Sequence, residues 1–158
     1  MSVVYIGIGS NLGNRRYNCL KAIELLEQNG LRISKISSVY ETEPWGMKEQ
    51  PAFLNMAVEA ETEIVPRKLL ELLKSIERKL GRKKTMKWGP RVIDLDILFY
   101  DDLQITEEDL QIPHPLLHQR DFVLLPLSEI APEKVHPVLK KSIQALRSTQ
   151  LPGAPGGR

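Results

Sequence analysis

Two aspartates, Asp94 and Asp96, lie two positions apart in the apolar stretch KWGPRVIDLDILFY, residues 87 to 100. Side chains alternate between the faces of a strand, so a strand here directs both carboxylates to one face and four apolar side chains to the other. These four are Ile93, Leu95, Ile97 and Phe99. Two carboxylates whose Cα atoms are about 6.5 to 7 Å apart can bind one or two hard cations. A solvated acidic face would show the same pattern, so the surrounding residues must decide.

Basic residues precede the aspartates in the run ERKLGRKKTMKWGPR, residues 77 to 91. Phosphoryl or pyrophosphoryl transfer needs carboxylates that hold Mg²⁺, cations that neutralise polyphosphate and a pocket that aligns the nucleophile. His114 lies between two prolines, which restrict the backbone and hence the position of the ring. The candidate cations are Arg82, Arg91, His114 and Arg120. Each of them, taken alone, could also be an ordinary surface group.

An aromatic ring and an amide, Phe53 and Asn55, share one face of the alternating stretch AFLNMAVEAETEI, residues 52 to 64. The ring can stack on a flat heterocycle, and the amide offers a hydrogen-bond donor and an acceptor together. The pair is therefore a candidate start of a binding pocket, with packing of Phe53 against a loop as the alternative.

Hydrophobic periodicity predicts the elements that position these side chains. The first helix is expected to begin after the N-cap Asn14 and to end at Gly30. A second helix is expected to begin at Pro66 and to end at Gly81. The resulting βαββαβ order predicts an α+β, ferredoxin-like fold with helices on one face of an antiparallel sheet and the active site on the other face under loops. The four strands are expected within residues 2–10, 31–43, 52–64 and 87–100.

The remainder of the chain gives weaker signals. Residues 114–133 predict short helical turns, residues 139–149 a terminal helix and residues 150–158 a disordered tail, which leaves a single domain over residues 1–149. Loops 44–51 and 82–90 lack apolar periodicity, and we expect them to close over bound ligands.

Composition excludes several classes of function. The 158 residues are 42% hydrophobic and carry 22 Lys and Arg against 20 Asp and Glu, so we expect one globular domain without a general nucleic-acid-binding surface. The single cysteine, Cys19, is in phase with a helical apolar pattern and is expected to be a buried structural thiol. No segment is apolar enough to span a membrane. We therefore expect a cytoplasmic monomer.

Six stretches of the chain, spanning residues from about 3 to 146, carry a more specific signal together than any of them does alone. They are IGIGSNLGN, SSVYETEPWG, QPAFLNMAVEAET, ELLKSIERKLGR, KWGPRVIDLDIL and IPHPLLHQRDFVLLPLSEIAPE. In order and spacing they resemble the 6-hydroxymethyl-7,8-dihydropterin pyrophosphokinase family, enzymes of folate biosynthesis. The resemblance implies that a pterin hydroxymethyl oxygen attacks the β-phosphorus of ATP, releasing AMP and leaving a pterin diphosphate.

The resemblance also implies roles for individual residues. Asp94 and Asp96 would bind two Mg²⁺ ions and, with Arg82 and Arg91, form the catalytic set. The other ATP contacts would be His114 and Arg120 at the phosphates, and Glu77 and Ile97 near the nucleoside. The pterin ring would lie between two of its contacts, Phe53 and Phe122. The full pterin pocket would comprise Thr42, Trp45, Phe53, Asn55 and Phe122.

The chain departs from the family pattern at Lys74, Asp109 and Pro115, where Gln, Arg and Tyr are common, and these three positions are left out of the site. Two other functions stay open on the residues alone. One is a ferredoxin-like module that binds a small ligand or RNA without catalysis, although no aromatic-rich strand of the RNA-binding type is present. The other is a Mg²⁺-dependent phosphatase or an ordinary kinase that uses the same acidic pair.

Overall fold

The computed structural model describes residues 1–42, 52–81 and 92–149. The predicted βαββαβ order is present, and the segment after it adds a small hairpin, a short 3₁₀ turn and two helices. The strands are β1 (Ser2–Ser10), β2 (Arg32–Ile36), β3 (Tyr40–Thr42), β4 (Phe53–Thr62), β5 (Asp94–Tyr100), β6 (Ile105–Thr106) and β7 (Gln111–Ile112). The helices are α1 (Arg15–Gln28), α2 (Pro66–Lys79), α3 (Asp121–Ile130) and α4 (Ile143–Ser148). The predicted tail, residues 150–158, lies outside the described residues.

The main sheet is antiparallel and has the strand order β2-β4-β1-β5, with β3 also paired to β4. This order places β1 between the two strands that carry the candidate pocket and the acidic pair. It confirms the predicted α+β, ferredoxin-like fold. It also puts β5, with Asp94 and Asp96, at one end of the strand order.

The predicted second strand is divided into β2 and β3 by residues 37–39. Ser37 causes the division, because its Oγ accepts a hydrogen bond of 2.8 Å from the backbone N–H of Ala57 on β4. A side chain thus replaces the backbone carbonyl that a continuous strand would present to β4 at this point.

Helices α1 and α2 pack on one face of the sheet, as predicted. Their buried side chains, Leu26 and Leu73 among them, form one core with Ile6 and Ile8 of β1. Cys19 is fully buried in the same core, and burial raises the pKa of its thiol to about 11. The prediction of a buried structural thiol is therefore confirmed.

The opposite face is covered in part by α3 and α4, where the sequence predicted loops. Leu124 and Leu127 of α3 and Leu146 of α4 pack there on Tyr5 of β1. The predicted short turns over residues 114–133 include a ten-residue helix, α3, although Pro126 lies inside it. The apolar surface that α3 buries stabilises the helix against the loss of one backbone hydrogen bond at the proline.

Strand β5 contains a bulge at Leu98, because Ile97 and Phe99 pair with adjacent residues of β1. A bulge adds one residue and reverses the side-chain alternation beyond it. Ile97 therefore lies in the core under α1 and α2, whereas Phe99 lies in the core under α3 and α4. The prediction that Phe99 shares a face with Ile97 is wrong. The two aspartates precede the bulge and keep the shared face predicted for them.

We expect the free energy of unfolding to decrease as the pH falls below about 6.5, because of His136. This imidazole is buried, and its Nδ1 accepts hydrogen bonds from the backbone N–H groups of Val138 (3.2 Å) and Leu139 (3.1 Å). Burial, with a smaller contribution from His118, lowers the pKa of His136 below its usual value. The unfolded chain therefore takes up a proton near pH 6.5 that the folded protein does not bind, and stability is lost with falling pH.

Urea unfolding at pH 7.5 and at pH 5.5 measures this effect. In a His136→Asn variant the amide oxygen can accept from the same backbone groups without titrating. The free energies of unfolding at the two pH values should therefore differ less in the variant than in the parent protein. An equal pH dependence in the variant and the parent protein would show that other groups cause it.

Candidate active site

The acidic pair lies in two rows of residues that cross the sheet. Asp94 pairs with Gly9 of β1, which pairs on its other side with Asn55 of β4. Asp96 pairs with Gly7 in the next row on the same face. Neighbouring strands are about 4.8 Å apart, so the backbones of Asn55 and Asp94 are about 10 Å apart. Because glycine has no side chain, β1 places none between the amide and the carboxylate.

A small cavity of about 20 Å³ lies over these glycines. A cavity of this size holds about one water molecule. Phe122 of α3 lines it and is only 2% exposed, while Phe53 on β4 is 3% exposed. A planar ligand is larger than this cavity, so Phe122 in its wall must move before such a ligand can enter. The described lining residues include Gly7, Gly9, Asn55, Asp94, Asp96, Leu98 and Phe122.

A larger cavity of about 360 Å³ lies on the other side of Asp96. Its volume is in the range of small-molecule binding sites. Asp96, Ile97 and His114, three residues that the resemblance assigns to metal and nucleotide, line this cavity together. Asp96 is thus in the wall of both cavities. The other described lining residues are Leu70, Leu95, Glu108, Asp109, Leu110, Gln111 and Pro115.

The position of His114 is fixed by hydrogen bonds with its neighbours. Its backbone N–H donates to the carbonyl of Leu98 on β5 at 3.1 Å, and its Nδ1 accepts from the backbone N–H of Leu116 at 3.3 Å. The first bond attaches the segment after β7 to the bulge of β5. The histidine therefore reaches the larger cavity although it is 18 residues beyond Asp96 in the chain.

The expected pterin contacts come from three elements. Asn55 on β4 donates from Nδ2 to Oγ1 of Thr42 on β3 at 2.6 Å, so these two polar side chains are directly joined. Phe53 pairs with Thr42 across the same two strands. Phe122, from α3, lines the small cavity with Asn55, and the Arg120 guanidinium lies 5.4 Å from the centre of its ring.

A carboxylate of α3 holds that helix to the start of β3. Glu129 accepts hydrogen bonds from the backbone N–H (2.9 Å) and hydroxyl (3.1 Å) of Ser38, and from the hydroxyl of Tyr40 at 2.6 Å. The hydrogen bond from Tyr40, with those from Ser38, lowers the pKa of the Glu129 carboxyl below its usual value. Glu129 thus links the helix of Phe122 to the strand of Thr42.

Sequence reasoning missed two glycines of the site, and three of the predicted site residues lie outside the described residues. Gly7 and Gly9 line the small cavity, and alternating glycines in an apolar strand are a signal that something approaches the backbone closely. Trp45, Arg82 and Arg91 fall outside the described residues, as do the two loops expected to close, 44–51 and 82–90.

Two further positions have contacts that the sequence did not indicate. Glu77, expected near the nucleoside, accepts a hydrogen bond from the backbone N–H of Leu95, the residue between the two aspartates. Asp109, where the family pattern often has an arginine, lines the larger cavity and forms an ion pair with Arg67 of α2 at 2.8 Å.

Comparison with known proteins decides which family this arrangement belongs to. The family model for 7,8-dihydro-6-hydroxymethylpterin-pyrophosphokinase (HPPK) matches residues 5–132. The chain belongs to this family. The pyrophosphokinase family comprises transferases that move pyrophosphate from ATP to hydroxymethyldihydropterin in folate biosynthesis, so the resemblance found in the sequence is confirmed.

Two bacterial relatives match over most of their length. The chain is 47% identical over 147 residues to the 2-amino-4-hydroxy-6-hydroxymethyldihydropteridine pyrophosphokinase of Aquifex aeolicus, covering 93% of this chain and 91% of that protein. It is 47% identical over 130 residues to the enzyme of the same name from Bacillus subtilis, covering 82% of this chain and 78% of that protein.

A solved structure of Plasmodium falciparum HPPK-DHPS has the same fold. It superposes with a TM-score of 0.73 at 19% identity and covers 94% of this chain. The chain spans 43% of the length of that protein. At this identity the similarity shows the pyrophosphokinase fold alone.

None of the helices in the part of the chain that the structure describes is long and apolar enough to cross a membrane.

Proposed function

We propose that this chain is a Mg²⁺-dependent enzyme that transfers pyrophosphate from ATP to the hydroxymethyl group of 6-hydroxymethyl-7,8-dihydropterin, giving AMP and the pterin diphosphate. The observation that carries the proposal is the position of Asp96 in the wall of both cavities. An acidic pair between a pterin site and a nucleotide site is where a polyphosphate and an attacking hydroxyl must meet. Family membership supports the same reaction.

The larger cavity is proposed to bind ATP. Leu70, Leu95 and Leu110 supply an apolar surface suited to the adenine, with Ile97 beside the nucleoside. His114 lies in the same cavity as Asp96, which suits a donor to the phosphates. Arg120, together with Arg82 and Arg91, completes the proposed set of phosphate contacts. These cations would neutralise charge on the triphosphate and hold its β-phosphorus in line for attack.

The pterin is proposed to enter the smaller cavity when Phe122 and Phe53 separate to admit its ring. An amide has two donor hydrogens and an accepting oxygen, so the bond from Asn55 to Thr42 fixes the amide plane and leaves groups for the pterin edge. Trp45 is the remaining proposed contact. Stacking orients the ring, and the amide selects its hydrogen-bonding edge. Together they direct the hydroxymethyl oxygen toward the acidic pair.

The donor set of the acidic pair fits Mg²⁺ in a nucleotide enzyme. Such an ion takes one or two carboxylates and completes its octahedron with substrate phosphates and water. Among residues 1–42, 52–81 and 92–149, no group of three or more His, Cys, Asp or Glu side chains could hold a metal ion. Asp94 and Asp96 therefore suit ions that arrive with ATP, and we propose two. When bound, Mg²⁺ would lessen the repulsion between the hydroxyl and the polyphosphate and stabilise the charge that develops in transfer.

The proposed transfer exchanges one bond at the β-phosphorus. The hydroxymethyl oxygen forms a bond to this atom, the bond to the oxygen bridging the α- and β-phosphorus breaks, and AMP leaves with that oxygen. The hydroxyl proton is released as the new bond forms. The residues of the chain orient the two substrates and offset their charge.

A single domain over residues 1–149, a monomeric state and a cytoplasmic location stay predictions of the sequence.

Nucleotide analysis after incubation with ATP, Mg²⁺ and the reduced hydroxymethylpterin tests the proposed function. Transfer from the β-phosphorus yields AMP and a pterin diphosphate in equal amounts. An ordinary kinase would yield ADP and a pterin monophosphate, a phosphatase would yield inorganic phosphate without a pterin product, and a binding module would consume no ATP. Stoichiometric ADP would refute the proposal. Omission of the pterin is the matched control, because AMP must then be absent.

A further inference from the structure

Glu77 is a buried carboxylate directly behind the acidic pair. It lies in the last turns of α2 and is 9% exposed. Its Oε2 accepts a hydrogen bond of 2.8 Å from the backbone N–H of Leu95. Leu95 separates Asp94 from Asp96, so this bond holds the peptide unit between Asp94 and Leu95, within the backbone that connects the two proposed metal-binding residues.

The location of Leu95 explains why its N–H takes a side-chain partner. Strand β5 pairs with β1 on one side and ends the strand order there. Backbone N–H groups that point away from β1 need another acceptor, because an unsatisfied buried N–H is costly. The Leu95 side chain is held as well, in the core under α1 and α2. With both its side chain and its N–H held, Leu95 has little backbone freedom, which restricts the backbone from which the two aspartate side chains project.

A carboxylate is an unfavourable choice of acceptor at this position unless the site uses it. Burial disfavours a charged group, and negative charge near the C-terminus of a helix opposes the helix dipole. Asp94 and Asp96 add like charge nearby. Within the described residues, no three His, Cys, Asp or Glu side chains converge on a possible metal position. The geometry therefore does not make Glu77 a third metal ligand beside Asp94 and Asp96. Its Oε2 instead accepts a hydrogen bond from the backbone N–H of Leu95, between the two aspartates.

We propose that Glu77 is a positioning residue that directs the carboxylates of Asp94 and Asp96 toward Mg²⁺ by accepting the hydrogen bond of the Leu95 N–H. This inference rests on the proposed function and replaces the nucleoside contact expected from the sequence. Accepting the hydrogen bond, rather than carrying charge, is the property that matters. Glutamine at position 77 can accept the same bond, whereas leucine fills a similar volume and accepts none.

The test compares Glu77→Gln and Glu77→Leu in the full chain. Binding of Mn²⁺, used as a spectroscopic substitute for Mg²⁺, is measured by electron paramagnetic resonance in the presence of a non-hydrolysable ATP analogue. We expect Glu77→Gln to bind Mn²⁺ within about threefold of the parent protein and Glu77→Leu to bind it at least tenfold more weakly. The concentration of Mg²⁺ that gives half-maximal turnover should shift in the same way.

A matched control comes from the same helix. Glu71 is exposed and forms an ion pair with Lys68 at 3.3 Å, so Glu71→Gln should leave Mn²⁺ binding unchanged. Melting temperature in EDTA separates positioning from folding. Removal of a charge near two carboxylates should leave Glu77→Gln at least as stable as the parent protein, while Glu77→Leu should be less stable.

Three outcomes would overturn the inference. Equal loss of Mn²⁺ affinity in both variants would mean that the charge acts on the metal directly. A loss of ATP-analogue affinity at saturating Mn²⁺, with Mn²⁺ affinity unchanged, would restore the nucleoside contact. Lower stability with unchanged Mn²⁺ binding would leave a structural role only.

The decision does not depend on the leucine variant or on catalysis. If Glu77→Leu does not fold, Glu77→Asp replaces it, because the aspartate side chain is one methylene shorter and cannot reach the Leu95 N–H in the same way. We expect the Glu77→Asp protein to bind Mn²⁺ at least tenfold more weakly than the parent protein. An unchanged affinity would refute the inference. Absence of AMP from the parent protein would refute the proposed function, whereas the Mn²⁺ data would still decide the role of Glu77.

Discussion

Replacing Asp94 or Asp96 with alanine is expected to lower turnover at least a hundredfold and to leave the protein folded. Metal-borne charge stabilisation contributes several kcal/mol to transfer of this kind, and a hundredfold loss corresponds to about 2.7 kcal/mol. Both carboxylates line the small cavity, on the face of β5 opposite to the core under α1 and α2. Its removal therefore affects the chemistry more than the packing.

Stability without Mg²⁺ should stay level or rise slightly in both alanine variants. The two carboxylates repel one another in the metal-free protein. Asp94 is only 8% exposed, so water screens this repulsion less than it would at the surface. Deleting one of them relieves that repulsion. Melting temperature in EDTA measures this effect, and turnover against Mg²⁺ concentration measures the catalytic one.

Asp102→Ala is the matched control for the acidic pair. Asp102 is two residues beyond the end of β5, its side chain is 81% exposed, and it forms an ion pair with Lys134 at 2.9 Å. Because water screens this exposed carboxylate, its ion pair should contribute little, so the control should be fully active and almost as stable as the parent protein. Near-normal turnover in either Asp94→Ala or Asp96→Ala would mean that the acidic face is merely solvated. A clear loss of melting temperature in EDTA would point to a structural role instead.

Replacing Phe122 or Phe53 with leucine is expected to weaken pterin binding by about 1 to 3 kcal/mol, roughly 5- to 150-fold, with little effect on ATP. Leucine keeps most of the volume of the side chain but loses the flat face on which a ring can stack. Both phenylalanines are almost completely buried, so alanine would create a cavity and lower stability severely. Calorimetric titration with the pterin, and separately with an ATP analogue, measures the two affinities.

Phe99→Leu is the matched control for the aromatic variants. Phe99 is fully buried in the core under α3 and α4, with its ring edge-on to Tyr5 at 6.0 Å. Its replacement should lower stability by a similar amount without changing pterin affinity. Equal losses of pterin and ATP affinity in Phe122→Leu or Phe53→Leu would show that the ring supports the fold and does not contact the pterin.

The βαββαβ elements of this fold were predictable because local rules determine them. Oδ1 of Asn14 accepts from the N–H of Tyr17 at 3.1 Å and begins α1, as its position before the apolar pattern predicts. Pro66 begins α2, and Gly81 follows it with a φ of +97°, a conformation that favours glycine. Each signal acts within a few residues, so the order of elements, and with it the fold class, could be derived from the chain alone. The family could be recognised because its motifs are contiguous.

Helix α3 and the bulge at Leu98 could not be derived in this way. Pro126 predicts a break, but the helix persists because its apolar face packs on the sheet. The bulge exists only relative to β1, since a strand by itself has no register. Both features therefore depend on contacts between segments far apart in the sequence.

The sequence by itself determined the acidic pair, its shared face and the residue types around it, because alternation along a strand is a local property. Tertiary structure alone placed Asp96 between two cavities, His114 in the larger one and the carboxylate of Glu77 on the N–H of Leu95. Those placements follow from strand pairing and helix docking, in which Asn55, Gly9 and Asp94 become neighbours across the sheet. No pattern within one segment can encode such proximity, because it arises from burying the apolar faces of all segments together.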